Sequence, residues 1–141
     1  MVAEDRINMD IYKVVTRAIA SSENLEDMAI QLTQLLVGAL GIKGSTIFVL
    51  NPVTEELEAL ASFGLSINYM NKGPILVKKS LDHQLRGEPI VIEDVKKSDR
   101  LQYPEDAQKE GISAIVSLPI SLHDKLIGVL RLYHYDRWDV S

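Results

Sequence analysis

The sequence predicts an α+β domain. Its core is a central antiparallel sheet of five or six strands, with terminal helices on one face and lid loops and short helices on the other. Two observations carry this expectation. The first 40 residues space their apolar side chains at helical intervals, whereas apolar and polar residues alternate two by two in four later runs. Those four runs fall into two pairs, each joined by a connection short enough for a hairpin, and hairpins make a sheet antiparallel.

Ile7, Ile11, Val14 and Ala18 fall at spacings of four, three and four, which places one narrow apolar stripe along a first helix. Such a stripe resembles a coiled-coil seam, so these four residues are the expected interface of a homodimer. Ser21, Ser22 and Asn24 interrupt the pattern. Asn24 is a suitable N-cap for a second helix, with Asp27 adding favourable charge in its first turn. That helix carries Leu25, Met28, Leu32, Leu35, Leu36 and Ala39, a face wide enough to lie on a core, and Gly41 supplies its C-cap.

From Ser45 the period becomes two. Ile47 and Val49 point one way and Thr46, Phe48 and Leu50 the other, so both faces of this strand meet apolar material, as in a central strand. Asn51-Pro52-Val53-Thr54 is turn chemistry, and the return strand, 56–62, directs Leu57, Ala59 and Ala61 inward. Residues 63–74 read as a loop rich in Gly and Asn that covers something with Leu65, Ile67, Tyr69 and Met70. A short helix over 80–87, capped by Ser80 and stopped at Gly87, precedes a brief strand, 89–92, whose leading proline suits a sheet edge. The polar segment 93–111 is expected to be a second lid, partly helical and anchored by Leu101 and Tyr103. The strands 112–122 and 126–135 close the domain as a hairpin, in which Pro119 requires a bulge or an edge position.

Composition removes whole classes of function. With no cysteine, thiolate catalysis, zinc-thiolate sites and iron-sulfur clusters are excluded. A formal charge of −5 argues against nucleic acid, since phosphate binding needs a cationic face. The longest apolar run, 35–40, is far short of the roughly 20 residues of a membrane helix, and the first ten residues contain no apolar signal core. The expected location is the cytoplasm. His83, His123 and His134 lack a local two-ligand spacing, so no metal site is expected. Asp82 and His83 project about 100° apart on a helix and cannot orient one another as a base pair.

The candidate binding residues lie on the lids and on the sheet beneath them. Tyr69, Lys72 and Gly73 can offer a hydroxyl, a cation and a backbone N–H to an anionic ligand, or they can simply seal the core. Asp94, Asp99, Arg100 and Tyr103 form the densest cluster of directional groups. In it Asp94 suits turn capping, and Arg100 serves either as a carboxylate clamp or as a partner of Asp94, Asp99 or Glu105. Phe48, Ala114, Val116 and Leu130, with Leu50 and Leu118, are expected to floor a pocket or to be plain core, depending on which way each points.

Three stretches taken together, ALGIKGSTIFVLN, then SLDHQLRGEPIVIEDV ahead of Ser98-Asp99-Arg100, then SAIVSLPISLHDKLIGVLRLY, resemble a GAF domain over residues 25–135. The resemblance implies residues 69–74 and 93–111 as the two lids of a small-molecule sensor. Ligands of that family include cyclic nucleotides, bilins, haem and small metabolites. Covalent bilin attachment and thiol-based sulfoxide reduction both use cysteine and are excluded here. The resemblance divides the chain into a signalling helix over 1–23, the domain proper over 24–136 and a truncated tail over 137–141. It implies a non-catalytic regulatory domain that binds a small molecule without a covalent cofactor, acts as a homodimer and serves a downstream effector, without nucleic acid or membrane partners. The alternative is a ligand-free dimerisation module whose pocket is filled by Tyr69, Met70, Leu101 and Tyr103.

Overall fold

The computed structural model describes residues 25–72, 75–76, 89–97 and 102–137. The expected helices over 1–23 and 80–87 lie outside them. Helix α1, Leu25–Leu40, buries Ala29, Leu32, Thr33 and Leu36 on one side. It ends where Gly41 takes a left-handed φ of 63° and donates its N–H to the Val37 carbonyl at 3.0 Å, a conformation that costs glycine little.

Six strands follow: β1 Gly44–Leu50, β2 Glu56–Phe63, β3 Ile75–Leu76, β4 Ile90–Ile92, β5 Ala114–Leu122 and β6 Lys125–His134. They lie in the order β3-β2-β1-β6-β5-β4, and every neighbouring pair is antiparallel. The first hairpin turns on Asn51, whose side-chain oxygen accepts the N–H of Val53 at 2.9 Å and of Thr54 at 3.3 Å. The last turns on His123 and Asp124, both with positive φ (51° and 62°), as a two-residue connection between right-twisted strands requires.

Strand parity divides the core in two. Ile47, Ala114, Val116, Leu118, Leu130 and Leu132 face α1, where they meet Ala29, Leu32 and Leu36. Phe48, Ile90, Ile92, Ile115, Val129 and Tyr133 face the opposite side. There a short helix α2, Ile67–Met70, a 3-10 turn, Val95–Lys97, and helix α3, Pro104–Glu110, lie over the sheet.

Several expectations change. Leu35 and Ala39, expected on the core face of α1, are exposed. The loop over 63–74 contains α2. The leading Pro89 precedes β4 rather than joining it, and the closing hairpin begins at Ala114, with Ile112 and Ser113 leading in. In β2 the register slips opposite Ile47 and Phe48, so Leu57 faces the lids and Ala61 faces α1, while Ala59, expected inside, is exposed. The extra residue is a bulge, which resets which side chains point inward.

Pro119 satisfies both of its alternatives. Among the described residues β4 pairs with Ile115, Val116 and Ser117, which leaves Pro119 past that pairing, and an irregularity follows at Ile120. At the centre, Gly128 lies opposite Val49, and a Cβ there would come within 2.2 Å of the Phe48 carbonyl oxygen. Only a residue without a side chain allows β1 and β6 that approach.

Candidate functional site

The floor of the lid-side layer is set by β1, β5 and β6. In β6 the alternation that sends Leu130 and Leu132 toward α1 sends Val129, Arg131 and Tyr133 toward the lids. Arg131 is flanked across the sheet by Thr46 of β1 and Ser117 of β5, so a polar row crosses an otherwise apolar face. All three are buried, Arg131 to 3% exposure.

The guanidinium carbon of Arg131 lies 5.5 Å from the centroid of the Phe48 ring, a cation–π contact. Its Nε has no hydrogen-bond partner among the described residues, and neither does the hydroxyl of Tyr133. Burial pushes the Tyr133 phenol up. Arg131 and Thr46, close to that hydroxyl, pull it partly back without the alignment of a full hydrogen bond. The Thr46 and Ser62 hydroxyls lie 3.0 Å apart, and Ser62 donates to the Met70 sulfur at 3.4 Å. A hydroxyl has one proton, so Thr46 is the donor to Ser62.

The roof comes from α2 and α3. Ser66 caps α2, accepting the Tyr69 N–H at 3.1 Å, and Glu110 at the end of α3 accepts both the backbone N–H and the hydroxyl of Ser66 at 2.6 Å. Burial pushes the Glu110 carboxyl up, but the two Ser66 bonds, with Lys43 and Lys72, outweigh it and hold the group below the usual carboxylate range. The clip fixes α2 so that Tyr69 points down into the site. Its ring meets that of Tyr133 edge to face, and burial, with Tyr133 adding to it, drives its phenol far above the ordinary value.

Lys72 follows α2 and turns back over it. Its ammonium donates to the Tyr69 carbonyl at 3.1 Å and lies 3.8 Å from the Tyr69 ring centroid and 5.8 Å from that of Tyr103. Desolvation, followed by the positive charge of Arg131, lowers its pKa to about 8 against the opposing pull of Asp106 and Glu110. A half-buried cation thus stands over a buried one. The carboxylates that act on Lys72 and Tyr69, Asp106 and Glu110, both belong to α3.

The sequence candidates divide between the two faces. Tyr69, Lys72 and Phe48 meet on the lid side, and Tyr103 packs at its margin. Ala114, Val116 and Leu130, expected on the pocket floor, belong to the opposite, α1-facing core. The physical reason is parity: each is an odd number of residues from its lid-facing neighbours Ile115, Val129 and Arg131. Asp94 is a turn-capping residue, its side-chain oxygen accepting the Lys96 N–H at 3.0 Å and its carbonyl that of Lys97. Gly73, Arg100 and the stripe Ile7, Ile11, Val14 and Ala18 lie outside the described residues.

Arg131, Tyr133 and Thr46 were not among the sequence candidates. The signal for Arg131 was present: a lone charge inside the strand LIGVLRLYH, flanked on both sides by leucine. Buried arginines are rare without a partner. Among the described residues no group of histidine and carboxylate side chains is arranged to hold a metal ion. No described helix is long and apolar enough to cross a membrane.

Comparison with known proteins gives a consistent family. The GAF domain model matches residues 24–141. Among solved structures, the chain is similar to the GAF domain of a phosphoenolpyruvate-protein phosphotransferase from Coxiella burnetii. The two share 20% identity and a TM-score of 0.73, over 94% of this chain and 80% of that one. The corresponding domain from Acinetobacter is similar at 19% identity and a TM-score of 0.70, over 96% and 81%. The free methionine-R-sulfoxide reductase from Neisseria meningitidis, solved with its substrate, has the same fold at 12% identity and a TM-score of 0.71, over 93% and 75%. No curated protein matches the chain.

Proposed function

Because the chain belongs to the GAF domain family, whose members are sensor and regulatory modules, we propose that it binds a small molecule between the sheet and the α2–α3 roof. Its action is non-catalytic in this reading. One observation carries it: the lid-facing side of the sheet keeps Thr46, Ser117 and Arg131 buried at its centre, with Arg131 Nε and the Tyr133 hydroxyl unbonded among the described residues. A layer serving only as core would gain stability from apolar residues there, because buried polar groups cost free energy unless they are bonded. A ligand supplies the missing partners. Tyr69, Lys72 and Tyr103 then contact it from above and Phe48 from below.

Signalling in this reading is a population shift. A ligand that binds two arrangements of the lids with a difference of about 1.4 kcal/mol biases them tenfold. The bias reaches α1 through the sheet, and from there a homodimer seam at Ile7, Ile11, Val14 and Ala18, and a cytoplasmic effector. Ile30 and Leu35, exposed on α1 at 41% and 64%, offer apolar surface for that association. The fold is shared with a reductase, but this chain has no cysteine for thiol chemistry.

A second reading is a dimerisation module without ligand. It is favoured by Tyr69, Met70 and Tyr103, which already pack on the lid-side core. Native mass spectrometry of the full chain, purified without additives and compared with its denatured spectrum, separates the two. Added mass lost on denaturation supports the sensor; a dimer of bare chains favours the module, and a bare monomer at micromolar concentration removes the homodimer from both.

A further inference from the structure

We infer that the ligand of this site carries a carboxylate, held by the Arg131 guanidinium from the sheet and the Lys72 ammonium from the roof, with its apolar body against Phe48 and Tyr69. The inference rests on the sensor reading and names the chemistry that the site selects.

Charge is the first argument. Arg131 is 97% buried in relative terms and makes no ion pair among the described residues; its guanidinium lies against the face of the Phe48 ring and close to the Tyr133 hydroxyl. A guanidinium does not deprotonate in a protein, so burial cannot neutralise it as it can a lysine. Among the described residues no carboxylate is paired with that charge, which leaves it open to an arriving anion. Lys72 is a second cation under the same roof, near enough for Arg131 to depress its pKa. The nearest acidic groups acting on Lys72 are on α3, and Glu110 is already committed to Ser66.

Geometry is the second argument. Arg131 Nε and the Tyr133 hydroxyl, neither bonded among the described residues, come from residues two apart on one strand, so both lie on the same face. They provide two directional donors to one anion, a number suited to the two oxygens of a carboxylate. The aromatic groups around them, Phe48, Tyr69 and Tyr133, suit an apolar or aromatic remainder.

The test is thermal denaturation of the full chain with matched acids and amides: benzoate and benzamide, phenylacetate and phenylacetamide, 4-methylpentanoate and its amide, with inorganic phosphate alongside. At least one acid is expected to raise Tm while its amide does not. Arg131→Met, which keeps the volume and removes the charge, should abolish the acid's shift, and its ligand-free Tm should equal or exceed that of the parent. If Arg131→Met does not fold, Arg131→Lys keeps the charge without the planar fork and should weaken the acid at least tenfold. Amides that bind as well as acids, an acid shift unchanged by either variant, or phosphate binding better than every acid would overturn the carboxylate and leave the sensor reading standing. No shift from any compound, with no added mass in the native spectrum, overturns both.

Discussion

The rings of Tyr69 and Tyr133 meet edge to face, 5.9 Å between centroids and 84° between planes. One ring belongs to the roof and the other to the central strand of the floor, so this contact joins the two layers of the site directly. Its two hydroxyls have different consequences. Tyr133→Phe removes a buried hydroxyl with no aligned partner and should change stability by less than about 1 kcal/mol, in either direction. Tyr69→Ala empties a ring-sized space under α2 and should cost about 3 to 5 kcal/mol by urea denaturation. A large loss from Tyr133→Phe would mean that its hydroxyl is bonded in solution.

Gly128→Ala should be among the most damaging single substitutions. The new Cβ would meet a backbone oxygen of the neighbouring strand, which no side-chain rotation can move aside. A loss of about 3 kcal/mol or more is expected, at the upper end of overpacking penalties, with altered amide shifts along both β1 and β6.

Lys72→Met should change how stability depends on pH. The folded pKa of Lys72 is about 8, while an unfolded lysine titrates near 10.4. Between those values the unfolded chain holds a proton that the folded chain has released, so the parent gains stability as pH rises through that window. Below about pH 8 both states hold the proton, and the cost of burying it is constant. Arg131 on β6, Asp106 and Glu110 on α3 and the two tyrosine rings all face this ammonium. The Tm difference between parent and variant should therefore move in the parent's favour from pH 8 to pH 10; a flat difference would show that the ammonium stays solvated.

The clip between α2 and α3 predicts a local effect. Ser66→Ala removes the cap of α2 and one bond to Glu110, at a cost of about 1 kcal/mol. Glu110→Gln should loosen the same contact, seen as faster hydrogen exchange at Tyr69 and Met70. Because the folded pKa of Glu110 is depressed, its contribution is present above the unfolded value near 4.3 and disappears as pH falls through the lower folded value. Exchange in α2 that is as slow in Glu110→Gln as in the parent would refute the role of the clip.

Much of this architecture was legible in the residues. Asn51, Gly41 and the strict alternation around Ile47 and Phe48 are local signals, and the structure uses each as chemistry requires. The inward set of β2 was not legible, because the bulge near Leu60 is a response to the neighbouring strand and leaves no mark in the composition of β2 itself. The site was half legible. Tyr69 and Lys72 stood out because loops with directional groups are informative. Arg131 sits inside a strand whose apolar neighbours suggest core, and period two alone leaves open whether Ala114, Val116 and Leu130 floor a pocket or lie in the core. Period-two reasoning identifies which residues share a face but not which face meets the lids.

The lengths of the outer strands have a consequence for association. Among the described residues β3 and β4, at the two margins of the sheet, span two and three residues, and past the pairing with β4 strand β5 carries Pro119, which has no N–H to donate. Along these described stretches a neighbouring chain seeking to add a strand finds few consecutive backbone groups to bond. Growth by sheet extension along these described stretches is thereby discouraged.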